Sequence, residues 1–201
     1  LKIAILVEGN TEKAFLPHMR SFLAGRLADR MPRLILRKYD GRIPKDRKLR
    51  ATVENLLNGQ DQADAVIALT DVYTGTNDFT DAVDAKAKMR AWVGQNGRFY
   101  PHAAQHDFEA WLLPYWSEIQ RVAGHNRNAP PGPPESVNHN RPPSYHIKEI
   151  FEIGRRRDSY SKVRDASLIL CNQDLAIAAA ACPELKAFLN TILTLSGGQQ
   201  L

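Results

Sequence analysis

Ile3-Ala4-Ile5-Leu6-Val7 is an unbroken apolar run, the pattern of a strand buried on both faces of a parallel sheet. Gly9-Asn10-Thr11 interrupts it, with the glycine expected to supply a tight turn. Phe15, Met19, Phe22, Leu23 and Leu27 then recur at helical spacing, and Pro17 is expected to kink that helix or mark its true start. Leu34-Ile35-Leu36 reads as a second strand, Leu49 to Leu57 as a helix stopping near Gly59, and Ala65 to Leu69 as a third strand ending at Thr70-Asp71. A turn-rich stretch from Tyr73 to Asn77 leads to a helix from about Phe79 to Val93, closed by Gly94. Arg98 to Ala104 reads as a fourth strand. Asp107 then opens a helix whose Phe108, Trp111, Leu112, Tyr115, Ile119 and Val122 share one face. Strands alternating with helices predict an α/β domain with a mainly parallel sheet.

Gly124 to Tyr145 breaks this pattern. Pro130, Pro131, Pro133, Pro134, Pro142 and Pro143 make it a long irregular loop, of a length that is usually functional or disordered. Beyond it the chain reads as helical at about 145–154, 159–171, 172–181 and 183–195, with Pro183 suited to the first turn of the last helix. The expected organisation is an α/β domain over residues 1–123, a proline-rich loop over 124–145, and a helical extension over 146–201 packing on the first part.

A chain of 201 residues with 43% hydrophobic side chains can bury one core. No apolar run approaches the roughly 20 residues of a membrane-spanning helix, and Leu1 to Val7 reads as a strand rather than a signal peptide, so a cytoplasmic protein is expected. Cys171 and Cys182 have neither zinc-finger nor CxxC spacing and read as buried free thiols. The net charge of +5 comes from 27 basic and 22 acidic side chains. The basic ones concentrate between Arg26 and Arg50, and again at Arg155, Arg156, Arg157, Lys162 and Arg164. Such patches are either phosphate-binding surfaces or solvated faces.

The chemistry is concentrated in acids. Glu8 with Glu12, Asp71 with Asp78, and Asp107 with Glu109 each fall where an expected strand runs out. In an open α/β sheet, ligands gather outside the carboxyl ends of the strands, so these distant acids are expected to meet. Crowded carboxylates repel one another, and a hard divalent cation held by their oxygens relieves the repulsion. A Mg2+ or Mn2+ site and phosphate chemistry follow as expectations. Ordinary structural roles stand beside them: Glu12 suits a helix dipole, Asp71 can start a turn, and Asp78 and Asp107 can each cap a helix. Of these, the cap reading is favoured for Asp78.

The strings Val7-Glu8-Gly9-Asn10-Thr11-Glu12, Asp71-Val72-Tyr73 with Asp78-Phe79, and Gln105-His106-Asp107-Phe108-Glu109-Ala110 resemble a Toprim-like family of uncharacterised bacterial proteins encoded beside ATPases in phage-defence operons. Tyr160-Ser161-Lys162 and Cys182-Pro183 resemble the helical C-terminal part of that family, so the likeness spans nearly the whole chain. It implies a four-stranded, mainly parallel sheet between helices, related to the Toprim domain of overcoming-lysogenization-defect (OLD) nucleases. It also implies that Glu8, Glu12, Asp71, Asp107 and Glu109 bind Mg2+ or Mn2+, that Glu8 acts as ligand or general base, and that Lys162 completes the site, with Lys148 in reserve. The function implied is a metal-dependent nuclease cutting DNA or RNA in anti-phage defence under an ATPase partner. Arg155, Arg156, Arg157 and Arg164 would hold the nucleic-acid backbone. There is one departure: the usual Asp-x-Asp is here Asp71-Val72-Tyr73, so the second carboxylate is missing. Asp78, Tyr73 and His106 are the candidates for supporting or substrate-touching roles. The missing aspartate favours the alternative, a catalytically inactive scaffold that binds metal or nucleic acid and regulates a partner.

Other motifs carry less. Leu195-Ser196-Gly197-Gly198-Gln199 spells an ABC-ATPase signature, but no GxxxxGK phosphate loop accompanies it. The remaining histidines, His18, His102, His125, His139 and His146, have no recurring ligand spacing.

Overall fold

In the computed structural model, which describes residues 1–39, 41–73, 77–138, 141–154 and 159–201, the first strand β1 (Lys2–Val7) lies at the centre of a sheet. Its residues from Ile3 to Val7 are all essentially inaccessible, as the continuous apolar run requires. The chain then forms α1 (Asn10–Leu27), β2 (Arg33–Lys38), α2 (Asp46–Asn58), β3 (Ala65–Asp71), α3 (Ala82–Val93) and β4 (Phe99–Ala104). The four strands are all parallel, in the order β2-β1-β3-β4. Ile5 pairs with Leu36 on one side and with Ile67 on the other.

Layering follows from the alternation of side chains along the strands. Ala4, Leu6, Val66, Ala68 and Phe99 face α2 and α3. Ile3, Ile5, Val7, Ile67 and Leu69 face α1 and everything that follows β4. That second layer comprises a 3₁₀ segment (Phe108–Tyr115), α4 (Trp116–Ala123), α5 (Pro143–Ile153), α6 (Arg164–Leu170), α7 (Leu175–Ala181) and α8 (Pro183–Leu195). Phe151, Ile169 and Phe188 from its late helices share one core with Ile5 and Phe15.

Several expectations need correction. Of the two roles expected for Pro17, marking the start of α1 is ruled out, because the helix already begins at Asn10. Pro17 is exposed, and the helix runs on through it on the strength of Phe15, Met19, Leu23 and Leu27 packing inward. Gly9, where a tight turn was expected, is extended (φ −144°) as the residue preceding α1; a Cβ there would stand a close 3.2 Å from Glu12 Oε2. Asp78 does not cap α3. Asp81 does, accepting 2.8 Å from the Asp84 amide. The helix expected from Asp107 winds first as 3₁₀ through Pro114, which has no N–H to give an α-helical ladder, and becomes α-helical only at Trp116. Of the two free thiols only Cys182 is buried; Cys171 is exposed.

The proline-rich loop is fastened down at Glu135. Its carboxylate accepts from the Trp111 indole N–H at 2.9 Å and from the Glu184 amide, at the start of α8, at 3.1 Å. Val137 beside it is 1% exposed. His139 and Thr74-Gly75-Thr76, where a turn was expected, lie outside the described residues.

Candidate functional site

The order β2-β1-β3 means that the chain leaves β1 toward one side and later returns to its other side, which puts a switch point between β1 and β3. Glu8 follows β1 directly and Asp71 ends β3, so both carboxyls lie at this crevice. Thr70, which the sequence reading overlooked, donates its hydroxyl to Glu8 Oε1, and the amides of Asp71 and Ile43 also serve the Glu8 carboxylate. Glu12, in the first turn of α1, reaches back toward its own amide and that of Gly9. This is half of a capping box, with no capping side chain at Gly9 to reciprocate.

Asp107 and Glu109 come from the other side, on the entry to the 3₁₀ segment. Glu109 has no exposure at all, and Asp107 retains 5%. Lys162 reaches in from just before α6, its Nζ 3.2 Å from Glu109 Oε1 and 3.4 Å from Oε2. Asp107 Oδ2 accepts from the Ser144 amide, in the first turn of α5, at 3.1 Å. Asp107 Oδ1 is buried without a hydrogen-bond partner among the described residues. Beneath the acids the core is aromatic: Phe15 meets Phe108 edge-on at 5.3 Å, and Trp111 stacks on Phe188 at 6.0 Å.

Crowding and burial make these carboxyls reluctant to ionise. Burial pushes Glu8 up to about 7, and neighbouring Glu12 adds to this against the Thr70 hydrogen bond. Burial likewise raises Glu109 to about 7, with Asp107 reinforcing it and Lys162 opposing. Asp71 is raised well above its ordinary value, first by its enclosed position and then by Glu12, Asp107, Glu8 and Glu109 together. Although protein surrounds it, Asp71 keeps partial access to solvent through the cavity it lines. Burial works against the charge on Lys162, but Glu109, Asp71 and Asp107 outweigh it and hold the ammonium protonated.

The structure thus brings Glu8, Glu12, Asp71, Asp107, Glu109 and Lys162 into one electrostatic cluster. Glu8, Glu12, Asp71, Lys162 and Tyr73 line a cavity of about 230 Å³, with Phe108 as its apolar wall. A larger hollow of about 730 Å³ lies away from it, near Gln120, His125 and Ile153, and contains no carboxylate. Asp78 does not line the acid cavity; Arg42 (2.9 Å) and Lys45 (2.5 Å) hold it instead. His106 is half-buried with φ +69°, and its carbonyl accepts from the Tyr73 amide. Lys148 is exposed on α5, and nothing brings it to the acids. Arg164 pairs with its neighbour Asp165, Nε to Oδ1 at 2.8 Å, and Asp165 in turn accepts from the Ser161 amide at 2.7 Å, bracing the segment that carries Lys162. Arg155, Arg156 and Arg157 lie outside the described residues.

Residues 7–193 match the family model described as "Domain of unknown function (DUF4276)". The chain belongs to the DUF4276 family. No curated protein matches it. Its fold is similar to two solved structures. One is the C-terminal region of the Burkholderia pseudomallei OLD protein, with 12% identity, a TM-score of 0.56, and coverage of 97% of this chain and 98% of that one. The other is the C-terminal region of the Xanthomonas campestris pv. campestris OLD protein, with 13% identity, a TM-score of 0.50, and coverage of 97% and 95%. At such identities the likeness is one of fold. The four-stranded parallel sheet between helices that the sequence motifs implied is therefore a fold these two structures share with this DUF4276 chain. Among its described residues no helix is long and apolar enough to cross a membrane.

The chemistry of the donors suits a hard cation: five carboxyls, an orphaned Asp107 oxygen, and charge that the protein alone leaves poorly compensated. Among the described residues, no three of the His, Cys, Asp and Glu side chains stand at the spacing of a closed ligand set. Lys162 sets a positive charge against Glu109, and burial with mutual repulsion favours the neutral form of the remaining acids. The sequence reading missed Thr70, Ser144 and Glu135. Thr70 directly precedes Asp71 and was visible as a polar residue ending an apolar strand; the other two act across long sequence distances that no local pattern reveals.

Proposed function

We propose that this chain is a metal-dependent nuclease that hydrolyses phosphodiester bonds of DNA or RNA in bacterial anti-phage defence, under the control of a partner ATPase. The observation that carries the chemistry is the convergence of Glu8, Glu12, Asp71, Asp107 and Glu109 with Lys162 at the carboxyl edge of a parallel sheet, buried and resisting ionisation. The defence setting and the partner rest on the motif resemblance, and the OLD-like fold is consistent with them.

Glu8, Glu12, Asp71, Asp107 and Glu109 would hold Mg2+ or Mn2+, which supplies positive charge for a phosphoryl group and acidifies water. Glu8, placed at the carboxyl end of β1 and hydrogen-bonded by Thr70, would either ligate the cation or accept a proton from an attacking water. The Lys162 ammonium offsets negative charge developing on the phosphate. Thr70 orients Glu8, and Ser144 orients Asp107. Phe108, backed by Phe15 and Trp111, gives the cavity one apolar wall, and low polarity on that side strengthens these charge interactions.

The test is an assay of the purified chain on plasmid, single-stranded DNA and bulk tRNA with magnesium, manganese or chelator. Cutting that needs the metal and is lost in a Glu8→Ala/Asp71→Ala variant supports the proposal. Absence of cutting even with the partner ATPase present sinks it. A second reading, a non-catalytic scaffold, is favoured by Tyr73 in place of an acid and by the open spacing of the carboxyls. It predicts divalent binding, abolished by Asp71→Ala, without hydrolysis.

A further inference from the structure

Tyr73 is 56% exposed, yet it lines the same cavity as Glu8 and Asp71. Its backbone is fixed by the hydrogen bond its amide donates to the His106 carbonyl, and among the described residues no other ring packs on it. An aromatic face is thus held open at the mouth of the acid cavity, where the motif would otherwise place a carboxylate. The cavity, at about 230 Å³, is below the roughly 300–1,000 Å³ of pockets that enclose whole small molecules. It has room for a phosphodiester group but leaves an attached base at the rim, beside Tyr73.

A second exposed aromatic ring sits on α5, one residue from a contact to the acids. Ser144 donates to Asp107, and the next residue, Tyr145, is 38% exposed with the Arg141 guanidinium 4.4 Å from its ring centroid. Aromatic rings paired with arginine are stacking platforms for unpaired bases, whereas bases in a duplex already stack on one another and offer no free face.

We propose that the cleft is built for single-stranded nucleic acid, with one base stacked on Tyr73 while the adjoining phosphodiester enters the acid cavity. Tyr145 with Arg141 supports a base further along the strand. This rests on the nuclease reading for the identity of the cavity, but it concerns binding and is tested without cleavage.

The experiment measures fluorescence anisotropy of a labelled single strand of about 20 nucleotides, and of the matching duplex, with calcium in place of magnesium. The wild-type chain is expected to prefer the single strand. Tyr73→Ala should weaken single-strand binding by about 5- to 100-fold while leaving the salt dependence unchanged, because stacking releases no counterions. Tyr73→Phe, which keeps the ring, should bind within about twofold of wild type. A scan of single abasic positions should find one that weakens the wild type by a similar factor but has little further effect on Tyr73→Ala, since each change deletes the same contact. Equal affinity for duplex, or Tyr73→Ala binding like wild type, overturns the inference even if metal-dependent cutting is found. Ring-dependent single-strand binding without hydrolysis under any condition upholds it and overturns the nuclease reading instead.

Discussion

Replacing Glu8 with glutamine removes one charge from the cluster while keeping an acceptor for the Thr70 hydroxyl. The Glu8 carboxyl is 7% exposed, and its pKa is raised from 4.5 to about 7. Between these values the folded chain holds a proton that the unfolded chain releases, so stability falls as pH rises from about 4.5 to about 7 and levels off above. At about 1.36 kcal/mol per tenfold, the carboxyl opposes folding by about 3 kcal/mol near pH ~8 but by only about 1.4 kcal/mol near pH ~5.5. Glutamine does not titrate, and whatever its amide gains or loses against the Asp71 and Ile43 amides is the same at both pH values. Its stability relative to wild type should therefore improve by about 2 kcal/mol on going from pH ~5.5 to pH ~8, or about 4–8 °C in melting temperature for a chain of this size. Thermal unfolding in chelator, followed by circular dichroism, measures this directly. A difference between variant and wild type that is the same at both pH values would show that Glu8 is ionised at ordinary cost, and the electrostatic argument for the site would fail.

Three further outcomes follow from the same charges. Lys162→Met leaves Glu109 fully buried without its cation; because Lys162 is itself about half exposed, the loss should be about 1–2 kcal/mol near pH ~8 and smaller near pH ~5.5, read by urea unfolding. Magnesium or manganese should raise the melting temperature near pH ~8, by about 2.7 kcal/mol equivalent at a hundredfold excess over Kd, and far less near pH ~5.5, where protons already neutralise the acids. Asp71→Asn should stabilise the metal-free chain near pH ~8 yet remove most of that metal-induced shift, a pairing that a purely structural aspartate would not give.

The strands were legible because β1 and β3 are buried on both faces, so their apolar runs end abruptly at Glu8 and Asp71. The meeting of those acids was legible too, since a parallel sheet sends all its strand ends to one edge. What misled was local ambiguity. Asp78 and Asp81 both precede α3, and the deciding sign, an acid three residues after Asp81 at Asp84, was present but not weighed. Phe108, Trp111 and Tyr115 fit a spacing of three to four residues, which 3₁₀ and α windings share; Pro114 was the hint that separated them. The anchoring of the proline-rich loop was illegible because its partners, Trp111 and Glu184, are 24 and 49 residues from Glu135.

That anchor bears on the site. The 3₁₀ segment carrying Glu109 is gripped at one end by Ser144, in the first turn of α5, acting on Asp107, and further along by Glu135, in the chain between α4 and α5, acting on Trp111. Glu135→Ala strips the acceptor from the indole N–H of a tryptophan that is 1% exposed and from the Glu184 amide at the start of α8. Leaving these donors unsatisfied costs about 1–3 kcal/mol for the buried indole and less for the amide where water can reach it. Glu135→Gln keeps an acceptor oxygen, and burial already raises the Glu135 pKa, so the neutral amide should cost under about 1 kcal/mol. If the loop holds the acids in register, Glu135→Ala should also weaken divalent-cation binding although Glu135 lies outside the acid cavity, while Glu135→Gln should preserve it. Calorimetric titration of manganese into the two variants tests this. Equal affinity in both, with the stability loss confined to Glu135→Ala, would mean that the loop braces the core and leaves the carboxylates to position themselves.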